Sequence, residues 1–323
     1  MRSIVRVAAL LLTVVATGYF LQAGDLSRAS PPPRVLAISV ELLNMVSPGS
    51  EREYFISTLR VIPTGRQTIT LPILMYHYVR QPPSMRSDGL GYKLSVSPAD
   101  FEKQMAWLST HGYHPVDFND VRAYFAGQAP LPAKPVVITF DDGYADLYVA
   151  AYPILAVHRF KAVAYIVSGF VGQPRYVTAG QVVEMNRNGI EIASHTVDHA
   201  DLARSSSAST MHQLVDSKRW LEHLLGHSVL DFAYPSGQFN AQVVAEVQRA
   251  GYDTAVTTRS AIDHSVADRY TWARVRVSGG ESLSEFVQNL GSPMPSISIT
   301  ALDLEIADAG QPSRARPTHP RPK

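Results

Sequence analysis

Pro135-Val136-Val137-Ile138-Thr139-Phe140-Asp141-Asp142-Gly143 is the stretch on which the fold of this 323-residue chain turns. Its first six residues form an apolar, β-branched run without the polar alternation of a strand that has one wet face. A strand buried on both faces of a parallel sheet needs such a run. Two carboxylates fall where the strand stops, and Gly143 provides the turn. Parallel neighbours must be joined by crossovers long enough to hold a helix, so helical patterns are expected on either side.

They are found. Strands are predicted over 71–78, 162–167, 190–193, 230–234, 254–257 and 273–277. A helix opens at Ser97 as N-cap, with Pro98 in the first turn and Asp100 near the positive end of the dipole. Its apolar positions Phe101, Met105 and Leu108 share one face. Further helices are predicted from Ala145 to His158, from Thr178 to Asn188 with Gly189 as the stop, and from Thr210 to Leu225. Two more run from Asn240 to Ala250, ended by Gly251, and from Ser282 to Leu290. About seven strands with helices between them imply an α/β fold on a parallel sheet. Such units close into a barrel with the site at the C-terminal strand ends, or remain an open doubly wound sheet; periodicity does not choose. No glycine-rich phosphate loop follows any strand, which leaves a nucleotide fold without support.

Hydrophobic residues make up 46% and charged residues 18% of the chain, enough apolar material for a real core. A net charge of +1 gives no basic field for nucleic acid. The chain has no cysteine, so disulfides and thiolate metal sites are excluded, and a metal would need His, Asp or Glu ligands. Residues 1–23 read as a signal peptide or an uncleaved anchor: Arg2 and Arg6 precede an apolar run from Val7 to Leu21, and Leu21-Gln22-Ala23 resembles a cleavage site. Either way the rest of the chain is expected to be exported, to the periplasm, the cell envelope or the exterior, held at a membrane by residues 7–23 if these are kept. Residues 24–66 read as a lead-in containing Pro31-Pro32-Pro33 and a strand or short helix at 35–43. Residues 67–290 are expected to form the main folded domain, and 291–323 a disordered tail whose end, 309–323, is rich in Pro and Arg.

Asp141-Asp142-Gly143 is good turn chemistry. It is also an arrangement in which one carboxylate could bind a cation while the other takes a proton. His195 and His199, four apart after the strand at 190–193, can reach one ion if the residues between them make a helical turn. His111 with His114, and His223 with His227, have similar spacing, but both pairs follow helix C-termini, where histidine favours the dipole. Only His195 and His199 share the strand-end face of Asp141 and Asp142. Asp142, His195 and His199 around one ion would leave positions open for water and substrate, with Asp141 available as general base.

Thr139-Phe140-Asp141-Asp142-Gly143 and His195-Thr196-Val197-Asp198-His199 resemble the first two motifs of the polysaccharide deacetylases, carbohydrate esterase family 4, over roughly residues 70–290. The resemblance implies a distorted (β/α)7 barrel, Asp141 as catalytic base, and a divalent metal, zinc by default, on Asp142, His195 and His199. Leu74-Met75-Tyr76-His77 and Phe232-Ala233-Tyr234-Pro235-Ser236-Gly237 look like the branch containing exported poly-N-acetylglucosamine deacetylases, in which a histidine matching His77 takes the general-acid role. A strand-end histidine satisfied by hydrogen bonds is an equal account of His77.

The sequence departs from the family's third motif, which carries an Arg that orients the catalytic Asp, followed by an aromatic residue. Ala233 and Ser236 stand at those positions. The Ser236 backbone N–H could still help hold an oxyanion, because a backbone donor survives substitution. The orienting role would pass to Arg274, for which a structural salt bridge is an equally good account. The family's late Leu-x-His motif is not visible after residue 280. The resemblance thus implies a hydrolase that removes N-acetyl groups from an N-acetylglucosamine polysaccharide and releases acetate. An O-acetyl esterase acting on a glycan such as acetylated xylan, or an inactive glycan-binding module on the same fold, are the alternatives.

Overall fold

The computed structural model describes residues 68–291. The leader or anchor at 1–23, the lead-in at 24–66, and the tail at 291–323 apart from Gly291 lie outside the described residues. Along the chain the main elements are β1 (Ile73–Tyr76), α1 (Pro98–Thr110), α2 (Phe118–Phe125), β2 (Pro135–Phe140), α3 (Tyr152–His158), β3 (Ala162–Ile166) and α4 (Ala179–Arg187). They continue with β4 (Ile190–Ser194), α5 (Ser207–Leu225), β5 (Asp231–Ala233), α6 (Ala241–Arg249), β6 (Thr254–Val256), β7 (Val275–Arg276) and α7 (Leu283–Gly291). Among the described residues no helix is long and apolar enough to cross a membrane.

The seven strands pair in the order β6-β5-β4-β3-β2-β1-β7, and every neighbouring pair is parallel. The sheet is strongly curled. Its two ends meet where Trp272 donates its N–H to Ala255 O (3.0 Å) and accepts from Thr257 N–H (2.8 Å). The result is the distorted seven-stranded barrel expected, rather than the open doubly wound sheet. The distortion lies at this seam, where one parallel bridge, Val256 to Trp272, and a two-residue β7 do the work of full strands.

The period-two geometry of a strand divides the core in two. Val136, Ile138 and Phe140 of β2 point outward into a cluster with Leu74, Tyr76, Ala164 and the helix faces around them. On α1 that face is Phe101, Met105 and Leu108, each burial contributing about 1.5–3 kcal/mol before entropy is counted. Ser97 caps the helix, accepting from Asp100 N–H at 3.1 Å. Val137 points inward, with Ile73, Val163, Tyr165, Ala193, Ala233, Val256 and Trp272.

This inner cluster also holds Phe118, Val121 and Phe125 of α2, a helix the sequence pattern does not disclose. α2 lies under the starts of the strands. Its Phe118 N–H donates to Glu191 Oε2 of β4 (2.7 Å), and Arg122 bonds Asp231 of β5 (2.6 Å) and Glu191 (2.9 Å). The barrel is therefore closed at its N-terminal end and open only where the strands finish.

The helix predicted from Ala145 to His158 begins instead as a π-helical turn, Leu147–Ala151, and becomes α-helical at Tyr152. Pro153 sits at the restart, where its missing N–H is tolerated.

Candidate active site

The C-terminal strand ends bring Asp141, Asp142, His195 and His199 to one place. After β2 the chain turns with Asp142 at φ 73° and Gly143 at φ 77°. Glycine suits the second position, because a Cβ there would be strained by that φ and would stand 3.0 Å from Ile166 Cδ1. The left-handed Asp142 points its carboxylate to the same side as Asp141, which simple strand alternation would forbid.

After β4, His195 N–H donates to Ile166 O (2.9 Å), and the segment to His199 closes as a turn. Thr196 Oγ1 accepts from His199 N–H (2.9 Å). The buried Gln213 side chain of α5 accepts from both Val197 N–H (2.9 Å) and Asp198 N–H (3.2 Å) through one oxygen.

The ligand atoms of Asp142, His195 and His199 all lie within 4.8 Å of one another. Nε2 of His195 and of His199 stand 3.3 and 3.4 Å from Asp142 Oδ1. That oxygen is buried and makes no hydrogen bond, the state expected of an atom reserved for a cation. His195 Nδ1 is 2.8 Å from Ala233 O. A carbonyl only accepts, so Nδ1 carries the proton and Nε2 keeps its lone pair toward Asp142. The donor set, its convergence and this tautomer fit a divalent metal.

Asp141 is buried and faces the barrel interior. Arg274 grips it with both terminal nitrogens, each 2.7 Å from one carboxylate oxygen. The guanidinium is fully buried and also donates to Thr257 O (2.9 Å) and Thr139 Oγ1 (3.0 Å); Thr139 in turn donates to Leu74 O (2.7 Å). Burial alone would raise the Asp141 carboxyl, but Arg274 outweighs it and holds the group below its ordinary value. The same competition holds Asp142 well below the carboxylate range: burial raises it, while the facing His195 and the nearby rings lower it. Burial lowers His195, but Asp142 and Asp141 leave it raised; burial and the charge of His195 lower His199.

His77, just past β1, has its Nε2 3.9 Å from Asp141 Oδ2. Burial pushes the ring down to about 4 against the upward pull of both aspartates, so it rests neutral near pH 7. Ser236 is exposed on the turn after β5, at φ 52°.

The other histidine pairs are elsewhere. His111, His114, His223 and His227 are exposed, and His111 Nδ1 and His114 Nδ1 are spent on the carbonyls of Trp107 and Ala133. Sequence reasoning missed Gln213 and Thr139. Gln213 lies inside a helix and in no motif, and Thr139, although it opens the first motif, shows its bond to Arg274 only in the fold.

Comparison with known proteins agrees with this geometry. The family model for polysaccharide deacetylase matches residues 128–255, which span both motifs. Over 216 residues the chain is 32% identical to YxkH of Bacillus subtilis (strain 168), a protein that carries a polysaccharide deacetylase name; the match covers 67% of this chain and 74% of that protein. It is 29% identical over 240 residues to the poly-β-1,6-N-acetyl-D-glucosamine N-deacetylase of Escherichia coli (strain K12), covering 61% of this chain but 36% of that one. The structure of the Streptococcus pyogenes deacetylase PplD in complex with acetate superimposes with a TM-score of 0.64 at 30% identity, over 69% of this chain and 99% of that one. The chain belongs to the polysaccharide deacetylase family.

Proposed function

We propose that this protein is a zinc-dependent N-deacetylase that acts outside the cytoplasm on a polysaccharide containing N-acetylglucosamine and releases acetate. The observation that carries the proposal is the juxtaposition of two carboxylates with different partners. Asp142 faces the two histidine Nε2 atoms, while Asp141, its neighbour in sequence, is held by Arg274. The poly-β-1,6-N-acetyl-D-glucosamine deacetylase named above supports the choice of glycan, and the N-terminal sequence supports export.

A divalent ion held by Asp142, His195 and His199 would lower the pKa of a water toward about 7 and polarise the acetyl carbonyl. Asp141 stays ionised beside that position, fixed in direction by the two-pronged Arg274 contact, and takes the proton as water attacks. His77 is neutral at rest, so the proton that it gives to the leaving nitrogen must reach it during turnover. Asp141 Oδ2, at 3.9 Å, is the near source. The backbone N–H of Ser236 serves as an oxyanion donor.

The test is acetate release from N-acetylglucosamine oligomers and from acetylated xylan, after metal stripping and reloading with single divalent ions. Release from the amide oligomers, lost on stripping and best restored by zinc, is expected. Release from xylan alone would make the enzyme an esterase. Tight glycan binding without release from either would make it a binding module.

A further inference from the structure

One wall beside the metal ligands is a pile of rings that neither the fold nor the hydrolytic step explains. Tyr78 and Tyr144 stack at 3.8 Å between centroids and 20° between planes, and Tyr144 and Tyr176 at 5.2 Å and 26°. Arg80 caps the outer face of Tyr78 at 3.5 Å, and Phe170 leans on Tyr176 at 4.9 Å. Tyr78 follows His77 and Tyr144 is two residues past Asp142. The Tyr176 loop is clamped to the same turn, with Ala145 N–H donating to Arg175 O (2.8 Å) and Val177 N–H to Gly143 O (3.0 Å). Loops from three consecutive strands thus contribute one tyrosine each.

The ring faces are occupied by one another, so what this wall offers is its edge. Packing alone would be met by phenylalanine. Two buried tyrosines elsewhere spend their hydroxyls on backbone carbonyls, Tyr234 on Tyr270 O and Tyr252 on Leu214 O (both 2.9 Å). The three tyrosines of the wall are half-buried and stacked ring on ring, which sets their hydroxyls side by side. A hydroxyl has one donor and two acceptor sites, so a row of three has both donors and acceptors to offer a ligand.

We propose that the hydroxyl edge of Tyr78, Tyr144 and Tyr176 is a glycan-binding subsite that hydrogen-bonds the hydroxyls of the sugar residue next in the chain to the one losing its acetyl group. The proposal rests on the deacetylase reading for the identity of its ligand. It makes the wall a determinant of polymer over monomer.

The experiment titrates the metal-loaded full-length chain calorimetrically with a glucosamine tetramer, which carries no acetyl group to remove. In parallel, acetate release from the acetylated tetramer is followed. Tyr144→Phe and Tyr176→Phe should each raise the tetramer Kd roughly three- to tenfold, the loss of one hydrogen bond, with metal affinity by chelator competition unaltered. Acetate release by the unsubstituted enzyme together with an unchanged tetramer Kd in both variants overturns the subsite and leaves the deacetylase reading standing. No acetate release from any acetylated glycan, with tetramer binding still weakened by Tyr176→Phe, overturns the deacetylase reading and leaves the subsite standing.

Discussion

Asp142, Thr196, His199 and Ser236 all hold left-handed φ angles, between 52° and 73°. Each costs on the order of 1–3 kcal/mol unless the surroundings impose it. Their clustering at one end of the barrel shows where the fold spends stability on geometry. Arg274 and Asp141 are a second such expense, since a buried ion pair is dear to break. Arg274→Met should cost about 3–5 kcal/mol, because it strands a buried carboxylate. Adding Asp141→Leu should restore the melting temperature but not acetate release, and failure of the double variant to recover stability would reject this account of the pair.

Asp146 gives a pH test away from the ligands. Burial raises its carboxyl to about 6, against about 4 in an unfolded chain. The folded state holds that proton more tightly, so ionisation removes stability as pH climbs from about 4 to about 6, and the loss persists above. Asp146→Asn should therefore raise the melting temperature at pH 7.5 and change it little at pH 4. An equal shift at both would exclude the charge as its cause.

At the level of elements, the metal turn depends on a helix that contributes no ligand. Gln213 of α5 holds two successive N–H groups of the 195–199 turn through one oxygen. Gln213→Leu should weaken zinc affinity about 10–100-fold by chelator competition, as loss of a ligand's support does, while Gln213→Glu, which keeps the acceptor, should recover much of it. Equal affinity in the Leu variant would assign Gln213 to packing alone. The long amphipathic helices and the central strand were legible because their caps, glycine stops and apolar spacing act locally: Ser97, Gly189 and Gly251 mark boundaries close to those observed. α2 was not. It has eight residues, and its capping pair, Asp117 with Asp120, resembles ordinary turn chemistry. Its reason for being a helix is the barrel floor beneath which its aromatic face packs.

At the scale of the whole molecule, the barrel separates a stabilising end from a reactive one. At the floor, Arg122 joins Glu191 and Asp231, and burial with the charge of Asp231 pushes Glu191 well above its ordinary value. Arg122→Met should lower stability by about 3–5 kcal/mol, a fall of about 10 °C in melting temperature for a domain of this size, without altering the acetate released per folded molecule. A parallel loss of specific activity would show that the two ends are coupled.

The sequence by itself determined the order of the seven strands and of the longer helices, the parallel sheet, and the positions of Asp141, Asp142, His195 and His199 at strand ends, since periodicity, capping and turn chemistry are properties of neighbouring residues. Only the tertiary structure decided that the sheet closes at Trp272, that Arg274 reaches across the barrel to Asp141, and that three tyrosines from three loops share one edge. Those contacts join residues from different parts of the chain. What fixes them is the curl of the sheet and the inward alternation of its side chains, and no local pattern records either.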